Sequence, residues 1–249
     1  MIVENMIQPP TEPVEWNIHE IIEPCKDDEM VRVQAYSPGD GRVFVPIRFY
    51  GYEYWVLPTL WPGTDLATND IIRICYTFPN ERQSRNIVLP SLRQDDLFID
   101  VGAAYGSWTL PAAAMHCKVM AFEPDSLSAT ILGEHIKINK FEKRVQVVRD
   151  SVSVKPTQSI DRWNLDKVRL IKIDTEGSEF DVLQSAKKTI NKCRPNLLVE
   201  LHTQMHGKEP KDEIEFLTNL CPQFEYHHYI LPQKSREQDQ EYYHIYHFL

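Results

Sequence analysis

The sequence contains no apolar run approaching the ~20 residues that cross a bilayer. Its first residues, MIVENMIQPPTEP, carry neither the basic nor the apolar region of a secretory signal. Both absences lead to the expectation of a cytoplasmic protein with no membrane partner. Cysteine is sparse. Cys25, Cys75, Cys117, Cys193 and Cys221 are widely spaced, odd in number and form no CxxC pair, which argues against a disulfide framework or a zinc site. They read as reduced, mostly buried small hydrophobes. Basic residues are outnumbered, 27 against 36 acidic, for a formal net charge of −9. An extended grip on nucleic acid therefore lacks its clustered Lys and Arg, although a local basic patch leaves such a partner open. No internal repeat is present. What remains is ample for a core: 249 residues, 42% of them hydrophobic, exclude global disorder and suit one large α/β domain with a smaller N-terminal addition.

Two textures divide the chain. Residues 1–95 hold more than half of the 17 prolines and dense aromatics, and the Pro-rich start reads as poorly ordered. The segment 42–58, RVFVPIRFYGYEYWVLP, reads as a β-hairpin turning at Tyr50-Gly51, with Pro46 on an edge strand. The segment 70–78 is open between strand and helix. From residue 96 onward, apolar runs at 97–101, 118–123, 145–148, 168–174 and 196–201 alternate with amphipathic stretches. That alternation predicts βαβ units around a parallel sheet buried on both faces. Helices are predicted over 126–140, with Ser126 as cap, over 178–192, opened by Ser178 and Asp181, and over 212–220. The segments 226–231 and 242–249 read as an antiparallel hairpin that closes the sheet.

The strand tips carry the chemistry. FIDVGAAYG, 98–106, runs from an apolar strand through Asp100 into a turn bracketed by Gly102 and Gly106. Glycine there permits positive φ and close backbone approach to a ligand. The next strand, KVMAFEP, ends in Glu123, 21 residues after Gly102, the place from which a carboxylate binds both hydroxyls of a ribose. Ala104 occupies the position of the second glycine of a dinucleotide fingerprint, so no pyrophosphate cradle is expected. An adenosine-type ligand without phosphates fits better. Asp150, with Ser151 beside it, ends a third strand and is placed to meet an adenine amine. Asp174 and Glu176 lie at the mouth of the fourth, where an extended backbone points both side chains the same way. The alternative for Glu176 and Glu179 is that of acids favouring a helix N-terminus. Glu200 and His202 end the fifth strand, and the histidine reads as base, ligand or surface residue.

Taken in order, FIDVGAAYG, AFEP at 121–124, SIDRW at 159–163, IKIDTEGSEFDVLQSA at 171–186 and RPNLLVELH at 194–202 resemble the FkbM family of S-adenosylmethionine-dependent methyltransferases. The resemblance spans about residues 95–202 and departs at Ala104, where the family usually has Asn. It implies a class I (Rossmann-like) methyltransferase sheet, here with a C-terminal antiparallel hairpin and an N-terminal β-rich extension. It implies S-adenosyl-L-methionine as cofactor, held along Asp100, Gly102, Ala103, Ala104, Tyr105, Gly106 and Glu123, with Asp150 and Ser151 at the adenine edge. The implied reaction is methylation of a hydroxyl on a sugar or natural product, a small-molecule or glycan acceptor. RNA or a peptide is the alternative acceptor, and a non-catalytic binding protein the alternative of another class.

An alcohol acceptor needs its proton taken by a positioned base, for which Asp174, Glu176, Glu200 and His202 are the candidates. Asp174, Glu200 and His202 also suit a hard divalent cation; a metal-free base is the preferred expectation. Residues 96–249 are expected to bind the cofactor. Residues 1–95 are expected on the acceptor side, with 31–95 against the carboxyl ends of the strands.

Overall fold

The computed structural model of the chain describes residues 13–16, 33–36, 45–57, 79–202, 210–222, 226–232 and 242–248. The undecided segment 70–78 and the start at 1–12 lie outside the described residues, as do Cys25 and Cys75. Two short antiparallel pairs come first: β1 (Pro13–Trp16) with β2 (Val33–Tyr36), then β3 (Val45–Phe49) with β4 (Tyr52–Val56). Helix α1 (Pro79–Val88) leads into the sheet domain. There β5 (Leu97–Val101), α2 (Thr109–Ala114), β6 (Lys118–Phe122), α3 (Ser126–Ile138), β7 (Val145–Val148) and β8 (Val168–Ile173) alternate. They are followed by α4 (Glu179–Ser185), α5 (Lys187–Cys193), β9 (Asn196–Leu201), α6 (Pro210–Leu220), β10 (Tyr226–Pro232) and β11 (Tyr242–Phe248).

Seven strands form one sheet in the order β10-β11-β9-β8-β5-β6-β7. Strands β9, β8, β5, β6 and β7 are mutually parallel, and β11 runs antiparallel to both β9 and β10. The predicted C-terminal hairpin is therefore present, inserted with its second strand inward. Apolar runs make this sheet because both faces are covered. Phe98, Leu170 and Leu198 pack on one face with Trp108, Ala112 and Leu132; Ile99, Ile171 and Leu197 pack on the other with Val182, Leu183 and Leu217. Each such side chain contributes about 1.5–3 kcal/mol of burial. No helix among the described residues is long and apolar enough to cross a membrane.

Three local expectations need correction. The cap of α3 is Asp125, not Ser126: its carboxylate accepts the Ser128 N–H at 2.8 Å. Ser178 gives α4 no side-chain cap. The single helix expected over 178–192 is two, broken at Ala186. The reason lies far away in sequence. Asp161 of the 3-10 turn Ile160–Trp163 accepts the N–H groups of Lys188 and Thr189, each at 2.8 Å, and caps α5 as a separate helix.

The N-terminal hairpin turns at Tyr50 and Gly51, both with positive φ (49° and 82°), the tight-turn geometry that matches strand twist. Helices α2 and α3 and strand β2 are among its described neighbours. Ile47, Tyr54 and Val56 share a core cluster with Trp108 and Ala112. The Asn139 side chain bonds both the N–H and the C=O of Trp55, at 2.7 and 2.8 Å, as a neighbouring strand would. Buried His135 accepts the Leu57 N–H at Nε2, 3.0 Å away, so its Nδ1 donates to the Tyr105 carbonyl at 2.8 Å. The hairpin thus braces the turn after β5 from behind.

Candidate functional site at the strand mouths

The turn after β5 is held by its own backbone. Gly102 N–H and Ala103 N–H both donate to the Phe122 carbonyl, at 3.0 and 3.1 Å, and Gly106 N–H donates to Ala103. Ala104 N–H donates to Glu123 Oε2 and Asp125 N–H to Oε1, both at 2.8 Å. These donors are already used within the protein, so the turn is no anion cradle. Glycine at 102 answers a different need from ligand approach: a Cβ there would stand 1.7 Å from the Asp174 carbonyl oxygen. At Gly106 (φ +99°) a Cβ would meet Leu132 and Leu110. Ala104 itself has φ +44°, a left-handed conformation that Asn and Gly tolerate far better than Ala.

Asp100 stands behind this turn rather than on it. It is fully buried, accepts the Thr109 hydroxyl at 2.6 Å, and burial pushes its carboxyl above the ordinary range despite Lys172. Tyr105, half-buried, ties the turn to His135. Asp150 Oδ1 accepts from Ser151 N–H and Gln158 Nε2, each at 2.8 Å, so the third strand tip is organised by Gln158.

Two residues outside the expected set organise the fourth and fifth mouths. Lys172 is 2% exposed and lies beside Asp100 in strand register. Its Nζ donates to Asp174 Oδ2 at 2.9 Å and to the Gly102 carbonyl at 3.2 Å, with Asp100 Oδ1 at 3.9 Å. A lysine inside a doubly buried strand requires such carboxylates, and that mismatch within VRLIKI was its readable signal. Glu179, fully buried at the start of α4, accepts the Gly177 N–H at 2.8 Å and meets His202 Nδ1 at 3.0 Å. The helix-terminus reading of Glu179 was correct in place but incomplete, because nothing local pairs it with a histidine on β9.

His202 gathers the acids. Its Nε2 lies 3.6 Å from Glu176 Oε2 and 3.9 Å from Asp174 Oδ1, while Asp174, Glu200 and His202 offer atoms all within 4.8 Å of one another. Glu176 sits at φ +53°, so the side chains converge through a left-handed turn and not through extended alternation. Burial alone would lower the His202 pKa. Glu179, Asp174, Glu200 and Glu176 outweigh it and raise the value to about 9. Burial acts to raise Asp174, yet the Lys172 ammonium holds it below the usual carboxylate range. Glu179 is likewise lowered, burial being outweighed by His202 and the Gly177 N–H.

A sheet of this order, with acids at successive parallel strand mouths, defines the class I methyltransferase fold. Within that class, the Methyltransferase FkbM domain model matches residues 126–231. Among solved structures the chain is similar to methyltransferase FkbM from Methylobacillus flagellatus, with 18% identity, a TM-score of 0.50 and coverage of 62% of this chain and 44% of that one. It therefore spans less than half of that relative's length. It is also similar to TYW2 from P. horikoshii in complex with MeSAdo, with 16% identity, a TM-score of 0.53 and coverage of 85% and 75%. A curated relative is the ribosomal RNA large subunit methyltransferase E of Archaeoglobus fulgidus, 26% identical over 165 residues, 62% of this chain and 78% of that protein.

Proposed function

We propose that the chain is an S-adenosylmethionine-dependent O-methyltransferase acting on a sugar or natural-product hydroxyl. The observation that carries this reading is the charge of the acceptor side. Asp174, Glu176, Glu179 and Glu200 surround His202, an environment that suits a neutral hydroxyl acceptor and repels a polyanionic one.

The donor set fits the cofactor's chemistry: the turn 102–106 without a phosphate cradle, Glu123 for a ribose, Asp150 and Ser151 for an adenine edge, and carboxylates toward a sulfonium cation. The bound cofactor supplies the electrophilic methyl group. The chain's own residues align the acceptor oxygen, an orientation effect that accounts for much of the rate. As the acceptor's O–H bond breaks, its proton passes to a carboxylate among Asp174, Glu176 and Glu200, beside His202. Residues 96–249 carry both halves of this site, and residues 1–95 contribute through α1, whose Arg85 donates to the Ser107 carbonyl at 2.8 Å.

The test is transfer of labelled methyl from S-adenosylmethionine to glycan and natural-product pools, run beside an RNA pool. Label in a hydroxyl acceptor, reduced ~10²–10⁴-fold by Asp174→Asn with unchanged S-adenosylhomocysteine affinity, supports the reading. Label confined to RNA would replace it with a second reading, favoured by the similarity to a ribosomal RNA methyltransferase.

A further inference from the structure

We propose that Asp174, Glu200 and His202 form a binding site for one divalent cation of the Mg²⁺ or Mn²⁺ class, with Glu179 as the residue that orients its imidazole ligand. The inference deepens the reading of this site as a hydroxyl methyltransferase and rests on that reading only for its chemical purpose.

Two observations support the site. The first is the donor set. Asp174 follows β8, Glu200 lies near the end of the neighbouring β9 and His202 follows it, and one oxygen or nitrogen of each lies within 4.8 Å of the others. An ion with bonds of ~2.0–2.2 Å separates its ligand atoms by roughly 3–4.3 Å, from adjacent to opposite positions. The observed spread needs only a small side-chain rotation to meet that range. Lys172 pairs with Asp174 Oδ2, Oδ1 faces His202, and Glu200 hydrogen-bonds the same carboxyl group, so the two acids already lie together.

The second is the state of the histidine. His202 is 6% exposed, and its ring is fixed by the 3.0 Å contact of Nδ1 with Glu179 Oε1. Nε2 is aimed between Glu176 and Asp174 at 3.6 and 3.9 Å, beyond hydrogen-bonding distance. Among the described residues it has no acceptor closer. A buried imidazole whose Nδ1–H is held by a carboxylate, and whose Nε2 points without a hydrogen bond into two or three other carboxylates, has the arrangement of a carboxylate–histidine–metal triad. Oxygen-rich donors with one imidazole select a hard cation such as Mg²⁺ or Mn²⁺ over softer ones. Three protein ligands leave coordination positions that water or an acceptor hydroxyl fills, and Glu176, 74% exposed at its side chain, stands at the rim as a further oxygen. The competing occupant of the space is a proton on Nε2.

The experiment uses the full chain, freed of metal by chelator and titrated with Mn²⁺ under electron paramagnetic resonance and calorimetry. One Mn²⁺ per chain is expected, with a nitrogen coupling from a directly bound imidazole, and Mg²⁺ should displace it. Glu200→Gln and His202→Asn should each weaken binding at least ~10-fold, and His202→Asn should abolish the nitrogen coupling. Glu179→Gln should weaken binding ~10–100-fold while retaining that coupling. The coupling in the unmutated chain keeps the test decisive even where a variant fails to fold. Absence of stoichiometric Mn²⁺ binding, or binding without nitrogen coupling, overturns the proposal in favour of the proton. The readout is independent of turnover. A chain that binds Mn²⁺ but methylates no acceptor would overturn the proposed function and leave the ion site standing. Methyl transfer by a chain that takes up no stoichiometric Mn²⁺ in the titration would overturn the ion site alone.

Discussion

Lys172 on β8 and Asp174, the residue just past its end, form a 2.9 Å ion pair whose lysine also bonds the Gly102 carbonyl at 3.2 Å. One buried cation thus joins the turn after β5 to the mouth of β8. Lys172→Met keeps the stem and deletes the charge, leaving buried Asp100 without its cation and Asp174 with His202 alone. Removing one partner of such a pair costs ~3–5 kcal/mol, expected as a lower urea midpoint. A midpoint within error of the parent would show that the ion pair is replaceable.

Glu123 serves two backbone donors already, Ala104 and Asp125 N–H, and is proposed to serve ribose hydroxyls as well. Glu123→Ala should weaken S-adenosylhomocysteine binding, measured by calorimetry, by about 1.5–3 kcal/mol for each charged hydrogen bond lost. An unchanged dissociation constant would remove Glu123 from the cofactor site.

Ala104 holds φ +44° without the side chain that favours it. Ala104→Asn should raise the melting temperature, because a left-handed Ala costs roughly 1–2 kcal/mol and Asn relieves part of that. A lower melting temperature would mean that Asn does not fit the turn.

His135 is buried neutral between Leu57 and Tyr105, and burial lowers its pKa to about 4 from an ordinary 6.5. The unfolded chain takes up its proton near 6.5, the folded chain only near 4. This group's stabilisation is therefore full above pH 6.5, falls as the pH drops toward 4, and is gone below that. The span is roughly 3 kcal/mol. Denaturation curves across this window should be steeper in pH for the parent than for His135→Gln. Identical slopes would place the histidine's proton elsewhere.

The alternation of strand and helix from 96 onward, the hairpin at Tyr50-Gly51 and the acids at each strand tip were all legible in the sequence. They depend on period, turn residues and position at a strand end, which are local properties. Asp174, Glu200 and His202 could be named for the same reason, since parallel strands deliver their last residues to one edge of the sheet. Pairings across the sheet and between layers were decided by tertiary structure alone. Lys172 meets Asp100 through the β5–β8 register, Glu179 meets His202 across a helix and a strand, and Asp161 caps a helix 27 residues away. The requirement for glycine at 102 belongs to the same group, because the atom that excludes a side chain there is the carbonyl of Asp174. A one-dimensional pattern specifies which face or end a side chain occupies. Which atom it touches is set by sheet order and register, and those follow from packing the whole core at once.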